Sequence, residues 1–363
     1  MSGRLLFDVT KASKQSHYSG VLRVSSCLKM ELKKALGEEL VEVVWSDRKQ
    51  SFKAPELGRD FSVEAEDVLL TAELFNDFER PGIEAFLRSG ACRAYAIFHD
   101  AIPLRHPEFT WPHSVQRHPS YMKMLSLFDG VFGVSQHSSI VLEEYWEWLG
   151  YEYSPSVKSL QLGADGLFKD SMIPKDREAE RFDVLMLGII EKRKGQDIAL
   201  DACSRLWDDG VEFNLHVVGR ANPYFGKDIE RRMKRMMKSG RAITLHGHLE
   251  DHELKRLIPE MDLMLFASRA EGCGLPVLES LWSGLPVLSS KLPPVRETSR
   301  FGGCSFFESG ESEDLAVQLG RLIENRHLVS DLKHGIQTKI LPRWEHTAQE
   351  VLDTIKPCVA VES

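Results

Sequence analysis

The chain has 363 residues, 42% of them apolar and 28% charged, with a formal net charge of -8. That length exceeds what one hydrophobic core supports, so two domains are expected, and the composition is that of a globular protein rather than a fibrous or disordered one. The acid excess is spread over both halves, which leaves no general basic character for neutralising nucleic-acid phosphates, and no nucleic-acid partner is expected.

The six cysteines, Cys27, Cys92, Cys203, Cys273, Cys304 and Cys358, include no C-x-x-C pair and have no His at metal-ligand spacing. They read as reduced thiols of a cytoplasmic protein. Met1 to Val9 lacks a charged n-region and a long apolar core, so no signal peptide is expected. The longest uncharged run, Gly130 to Leu142, falls well short of the ~20 residues of a membrane helix. A role at a membrane would be exercised from its surface.

In chain order, Leu5 to Val9 is a short apolar run of β-formers, Thr10 to Tyr18 a polar loop, and Ser19-Gly20-Val21 the start of a helix reaching about Leu36. Ser19 is placed as N-cap, and Gly20 would admit a ligand close to the backbone, although a plain turn uses glycine equally well. Val41 to Trp45, Asp67 to Thr71 and Arg93 to Phe98 are the next strands. The last of them runs into His99-Asp100-Ala101-Ile102-Pro103. Ligands of open α/β sheets bind beyond the carboxyl ends of strands, which places this His-Asp pair for chemistry. The alternative is a His bonded to nearby backbone and an Asp capping a turn.

Phe109 to Arg117 is aromatic and proline-rich and reads as a loop, with Trp111 either packed or stacked on a ligand. Gly130 to Val134 is a strand, Ser138 to Trp148 a helix, and Val157 to Leu162 the last strand before Gly163-Ala164-Asp165. The aperiodic, charged stretch Asp165 to Arg181 marks a domain boundary.

A second α/β unit then begins with the strand Val184 to Gly188, a loop from Ile189 to Gly195, and a helix from Gln196 to Trp207. Arg193 and Lys194 are either a solvated pair or, at a strand end before a helix N-terminus, a diphosphate cradle combining a guanidinium fork, a point charge and the helix dipole. Leu215 to Gly219, Ile243 to Gly247 and Leu263 to Ala267 are further strands, with helices over Asp228 to Ser239 and Asp251 to Glu260.

Ala270 to Ser290, AEGCGLPVLESLWSGLPVLSS, reads as turn, helix and strand. Pro276 is tolerated in a first turn, Leu275, Leu278, Leu281 and Trp282 share one face, and Gly284 stops the helix. Glu271 precedes this helix and Glu279 lies about two turns down it. Small residues between them leave room for a polyhydroxy ligand; singly, such glutamates cap a helix or face water. Gly302 to Phe306 is the last strand, helices follow from Ser312, and the terminal one spans Trp344 to Ile355. No Asp-x-Asp triplet occurs, so no divalent metal is implied.

The order E-G-x-G-L-P-x-L-E-(x4)-G-x-P-V from Glu271 to Val287 resembles the EX7E signature of retaining GT-B glycosyltransferases of family 4. Three other segments are similar to the same family: Phe7-Asp8-Val9-Thr10 with Ser19-Gly20-Val21, the His99 to Glu108 run H-D-x-I-P-x-x-H-P-E, and G-x-x-E-x-R-K-G from Gly188 to Gly195. Lys192 and Ala164 replace a frequent Pro and Val. The resemblance spans nearly the whole chain. It implies an α/β fold of GT-B type, with two Rossmann-like domains whose parallel sheets face a central cleft. Residues 1–165 would be the acceptor domain, 166–181 a linker, 182–342 the nucleotide-sugar domain, and 343–363 a helix crossing back.

By the same resemblance Arg193 and Lys194 bind the donor diphosphate, Glu271 and His99 flank the donor sugar near its reacting carbon, and Glu279 bonds the ribose. Gly20, Gly188, Gly219, Cys273, Gly274 and Leu275 complete the implied donor contacts. The implied reaction is retaining, metal-independent hexosyl transfer with no cofactor, from GDP-mannose as first choice and a UDP- or dTDP-sugar otherwise. The implied acceptor is a glycan or a lipid-linked glycan of bacterial O-antigen or exopolysaccharide synthesis, met in the cytoplasm or in peripheral association with the inner face of the cell membrane. A non-catalytic nucleotide-sugar-binding protein is the alternative.

Overall fold

The computed structural model describes residues 3–14, 20–57, 61–171 and 180–355. The expected N-cap Ser19, residues 172–179 of the expected linker, and Cys358 lie outside them. Two compact units divide the chain, residues 1–163 with 342–363, and residues 164–341.

In the first unit, β1 (Leu5–Asp8), β2 (Leu40–Ser46), β3 (Ser51–Lys53), β4 (Val68–Thr71), β5 (Arg93–Phe98), β6 (Gly130–Gly133) and β7 (Ser156–Ser159) form a sheet ordered β3-β2-β1-β4-β5-β6-β7. Helices α1 (Gly20–Leu36), α2 (Ile83–Ser89), α3 (Ile102–Arg105), α4 (Pro112–Met124) and α5 (Gln136–Trp148) lie between the strands. Every residue of β1, β4 and β6 is buried, as befits parallel strands covered on both faces. The core joins Leu6, Leu69, Phe98 and Val131 from the sheet to Met122, Leu142 and Trp146 from α4 and α5.

Three local features depart from the sequence expectation. The edge strand β3 runs antiparallel to β2, pairing Val44 with Lys53 and Ser46 with Ser51, so this sheet is not wholly parallel. Three residues with one apolar side chain, Phe52, are too short a pattern to register. Phe109 to Arg117 is not a plain loop: α4 starts at Pro112, where a proline lacks only an N–H that would be unpaired anyway, and it continues through Pro119. Burial of His118, Tyr121, Met122 and Met124 outweighs the weak local propensity. Finally, α5 starts two residues earlier, because Ser135 Oγ accepts from the Ser138 N–H at 3.0 Å and caps it.

In the second unit, β8 (Phe182–Leu187), β9 (Phe213–Val218), β10 (Ile243–Gly247), β11 (Leu263–Phe266), β12 (Val287–Ser290) and β13 (Cys304–Phe307) form a wholly parallel sheet ordered β10-β9-β8-β11-β12-β13. Its helices are α6 (Gln196–Asp208), α7 (Lys227–Lys238), α8 (Asp251–Leu257), α9 (Leu275–Trp282), α10 (Pro293–Arg296), α11 (Ser312–Glu324) and α12 (Arg326–His334). From Leu275 to Trp282, α9 is buried at every position but Pro276 rather than along one face, and Glu279 and Ser280 are enclosed with the leucines. Trp282 Nε1 donates to Phe168 O at 2.9 Å, tying the chain just after Ala164 to this unit.

The last helix, α13 (Trp344–Ile355), follows the second unit in sequence but belongs to the first. Thr347 Oγ1 donates to Gln161 O at 2.6 Å, and Lys158 Nζ donates to Thr354 Oγ1 at 3.1 Å. In each sheet the strand order reverses direction at one place, between β1 and β4 and between β8 and β11. The carboxyl ends of those strand pairs are the switch points at which open α/β sheets take their ligands.

Candidate functional site

At the β8/β11 switch point the backbone is shaped by glycine. Gly188 and Gly219 follow β8 and β9 with φ of 135° and 146°. A Cβ on Gly219 would stand 1.9 Å from Gly188 O, and one on Gly195 would stand 1.8 Å from Ala267 O. No side chain fits either contact, so the loop after β8 lies directly against its neighbours. The loop is pinned by Ile190 N–H to Arg220 O at 2.9 Å, and it tightens into a 3₁₀ turn over Lys192–Lys194 before α6.

That turn carries both predicted cations to one carboxylate. Lys194 Nζ lies 2.6 Å and Arg193 Nη1 3.6 Å from Glu271 Oε1, on the loop after β11. The three side chains are only 13%, 20% and 9% exposed. Burial works to raise the Glu271 pKa, but the charges of Lys194 and Arg193 outweigh it and hold the carboxyl below its ordinary value. Glu271 is therefore an anion at neutral pH. Lys194 Nζ also stands 5.5 Å from the centroid of the Phe266 ring.

The turn is braced on both sides. Arg193 Nε and Nη2 reach Glu191 Oε1 at 3.0 and 2.9 Å, and Nη1 donates to Ala270 O at 3.1 Å. Glu191 is buried, accepts from Asn222 Nδ2 at 2.9 Å, and through its own N–H donates to Gln196 Oε1 at 3.1 Å. From the other side the Arg269 N–H donates to Arg193 O at 2.7 Å. Its guanidinium donates to Lys192 O and, at 2.7 and 2.9 Å, to both Asp197 oxygens. The sequence reading gave Glu191, Asp197, Asn222 and Arg269 no role. Glu191 stands inside a quoted motif, and Arg269 lies two residues beyond the strand Leu263 to Ala267. The partners of Arg269 lie 72 and 77 residues away, beyond any local pattern.

Gly274, with φ of 73°, is the N-cap of α9, Leu275 its buried first residue, and Glu279 a buried residue of its second turn. Cys273, half-buried in the preceding loop, is in no disulfide, and neither are Cys27, Cys92, Cys203 and Cys304. Among the described residues no group of three or more His, Cys, Asp or Glu could hold a metal ion. No helix among them is long and apolar enough to cross a membrane.

The first unit has its own charged centre, at the β1/β4 switch point. Buried Arg80 binds Asp8 Oδ2 at 2.6 Å and Glu73 Oε2, and stacks 3.6 Å from the Phe75 centroid. Asp8 also accepts from Thr10 Oγ1 at 2.6 Å and Thr71 Oγ1 at 2.8 Å. Glu73 accepts from the backbone N–H of Lys11 at 2.6 Å and of Ala12 at 2.8 Å, anchoring the loop that leaves β1. Burial and the nearby Asp8 charge push Glu73 up to about 7.

His99, buried just beyond β5, donates from Nε2 to Ala72 O at 2.9 Å. Burial lowers its pKa, so the ring is neutral and Nδ1 keeps its lone pair. Asp100 Oδ1 accepts from the Ile102 N–H at 2.9 Å, turning the chain into α3. Gly20 opens α1, and a Cβ there would meet nothing within 4 Å, so its own surroundings do not demand glycine. His99 and Gly20 thus belong to the first unit, and the cluster of Arg193, Lys194 and Glu271 to the second.

The profile of the glycosyl transferases group 1 family matches residues 169–338. These residues, a little under half of the chain, are similar to that family. The group 1 segment contains every member of the Arg193, Lys194 and Glu271 cluster and its braces. The serotype-specific mannosyltransferase WbdA of Escherichia coli is 26% identical over 330 residues, covering 82% of this chain and 39% of WbdA. The chain spans about two fifths of the length of the first such relatives. Among solved structures, Anabaena Alr3699/HepE in complex with UDP and glucose aligns with a TM-score of 0.68 at 15% identity, over 97% of this chain and 99% of that one. WaaG, a glycosyltransferase involved in lipopolysaccharide biosynthesis, aligns with a TM-score of 0.65 at 13% identity, over 97% and 100%. The fold class is that of these proteins: α/β, of GT-B type, with two sheet-centred domains.

Proposed function

We propose that this chain is a retaining glycosyltransferase of bacterial surface polysaccharide synthesis. It moves mannose from GDP-mannose, its first-choice donor, to a glycan or lipid-linked acceptor. The observation that carries this reading is the convergence of Arg193 and Lys194 on Glu271, at the switch point of the second sheet and beside the Gly188/Gly219 contact. Two preorganised cations suit a diphosphate, and their charge would stabilise the one that accumulates on it as the sugar departs. Glu271, kept ionised by them, suits the hydroxyls of the transferred sugar, and Glu279 those of the ribose. His99 would act as a neutral hydrogen-bonding group, because Ala72 O takes its Nε2–H and leaves Nδ1 as an acceptor for a sugar hydroxyl. No carboxylate nucleophile is invoked: the acceptor attacks the face that the diphosphate leaves, and no metal ion is required. The mannosyltransferase relative favours mannose. The fold neighbour solved with UDP keeps a UDP-sugar as the second reading.

The test has two stages. A thermal-shift panel of GDP, UDP, dTDP and ADP identifies the base: a nucleotide at a hundred times its Kd adds about 2.7 kcal/mol, or roughly 5–10 °C for a unit of this size. Nucleotide release from the matching sugar donor is then followed with mannosyl acceptors, and the anomeric configuration of the product is read by NMR. Binding without nucleotide release on any acceptor would sink the transferase reading, and an inverted product would sink the retaining mechanism.

A further inference from the structure

The outer face of α7 is cationic from end to end. Residues 227–241 hold seven Lys and Arg against two acids, in a chain whose net charge is -8. Ile229 and Met233 are buried and Met236 packs against the core of the second unit. At 3.6 residues per turn, Lys227, Arg231, Lys234, Arg235 and Lys238 fall within an arc of about 100° on the side opposite those three. All five are exposed. Arg232 and Arg241 point elsewhere and bind Asp201, at 2.6 Å, and Asp208 of α6. Asp201 and Asp208 of the neighbouring helix are thereby neutralised. Asp228 and Glu230, at the two margins of the stripe, are taken by Arg231 and Lys234.

Inside the stripe every neighbouring pair at i,i+3 or i,i+4 is like-charged: Lys227 with Arg231, Arg231 with Lys234 and Arg235, and Lys238 with Lys234 and Arg235. Such pairs destabilise a helix, and a surface serving solubility alone intersperses the two signs. Asp228 and Glu230 offset part of this repulsion at the margins, and the charge that remains, on Lys227, Arg235 and Lys238, complements an anionic surface. Tyr224, 65% exposed just before α7, and Met237, 38% exposed at its edge, add side chains suited to a lipid headgroup region. A polynucleotide would meet the same charges, but Tyr224 is a single stacking platform where a strand would use several.

We propose that α7 docks the second unit on the surface of an anionic lipid bilayer, with Lys227, Arg235 and Lys238 lying against lipid phosphates. This holds whether or not the chain proves to be a transferase. The full chain is sedimented with vesicles of phosphatidylcholine alone or containing roughly a third phosphatidylglycerol, at low and at high salt. The expected result is about tenfold or greater binding to the anionic vesicles at low salt, abolished by high salt. Binding is also lost in the K227E/R235E/K238E variant, whose circular dichroism and melting point match wild type; should that variant misfold, K227Q/R235Q/K238Q replaces it. Equal binding to both vesicles, unchanged binding by the folded variant, or displacement from vesicles by an oligonucleotide at equal phosphate would each overturn the proposal. Nucleotide release with a water-soluble acceptor is the same in variant and wild type, so a failure of docking and a failure of the transferase reading are separately visible.

Discussion

Lys194→Met removes the ammonium 2.6 Å from Glu271 while keeping the apolar stem. Glu271, 9% exposed, is then left with Arg193 alone at 3.6 Å. Removing one partner of a fully buried ion pair costs about 3–5 kcal/mol. The surviving cation lowers that, and a loss of about 1–3 kcal/mol, or roughly 2–12 °C in Tm, is expected. In the double variant K194M/E271Q no buried carboxylate lacks its partner, so at least half of the lost stability should return. Transfer should not return: both variants should be down at least about tenfold, or about 1.4 kcal/mol in the barrier. Thermal melts and nucleotide release on the same three preparations give both readouts. Wild-type melting of K194M would refute the electrostatic account of the pair, and near-normal turnover of the double variant would refute its functional assignment.

Three further predictions test the surroundings. Burial and Asp8 raise Glu73 from 4.5 to about 7 in the folded state, so the stability linked to it is full at low pH and lost as pH rises through that interval. The stability of wild type relative to Glu73→Gln should therefore fall by about 3 kcal/mol between pH ~4.5 and ~7.5, and a flat difference in urea unfolding would show the reasoning wrong. Arg269→Gln removes the fork to Asp197 at a partly exposed site, costing only about 1 kcal/mol of stability but loosening the turn, so that the Kd of the preferred nucleotide rises roughly threefold to tenfold; unchanged affinity by calorimetry would dismiss the brace. Gly219→Ala drives a Cβ to within 1.9 Å of Gly188 O and should cost about 2 kcal/mol or more, whereas Gly20→Ala, with nothing within 4 Å, should stay within about 0.5 kcal/mol. Equal melting points for the two alanine variants would contradict this.

Much of this architecture is written locally and could be read before any coordinates. Apolar runs such as Leu263–Phe266 are buried on both faces and announce themselves, and Gly188, Gly195 and Gly274 sit where turns demand them. Arg193, Lys194 and Glu271 stand out as candidates because chemically distinctive residues border such turns, and the structure brings the three together. What stayed hidden depends on distance or on burial. The Asp8 to Arg80 and Arg269 to Asp197 pairs each join residues 72 apart, and no spacing rule links them. The helix at Pro112–Met124 has two prolines and two histidines and is held by what it packs against rather than by its own propensity. The enclosure of Glu279 was missed for a related reason: periodicity marks one apolar face, and α9 is surrounded.

The placement of α13 carries a consequence for how the polypeptide is made. Because Trp344–Ile355 completes the first unit although it is synthesised after the second, that unit must wait, unfinished, while everything from Ala164 to Leu341 emerges. The later unit is an uninterrupted stretch that could be excised and expressed alone. The earlier one could not, unless its closing helix were spliced back onto Gly163.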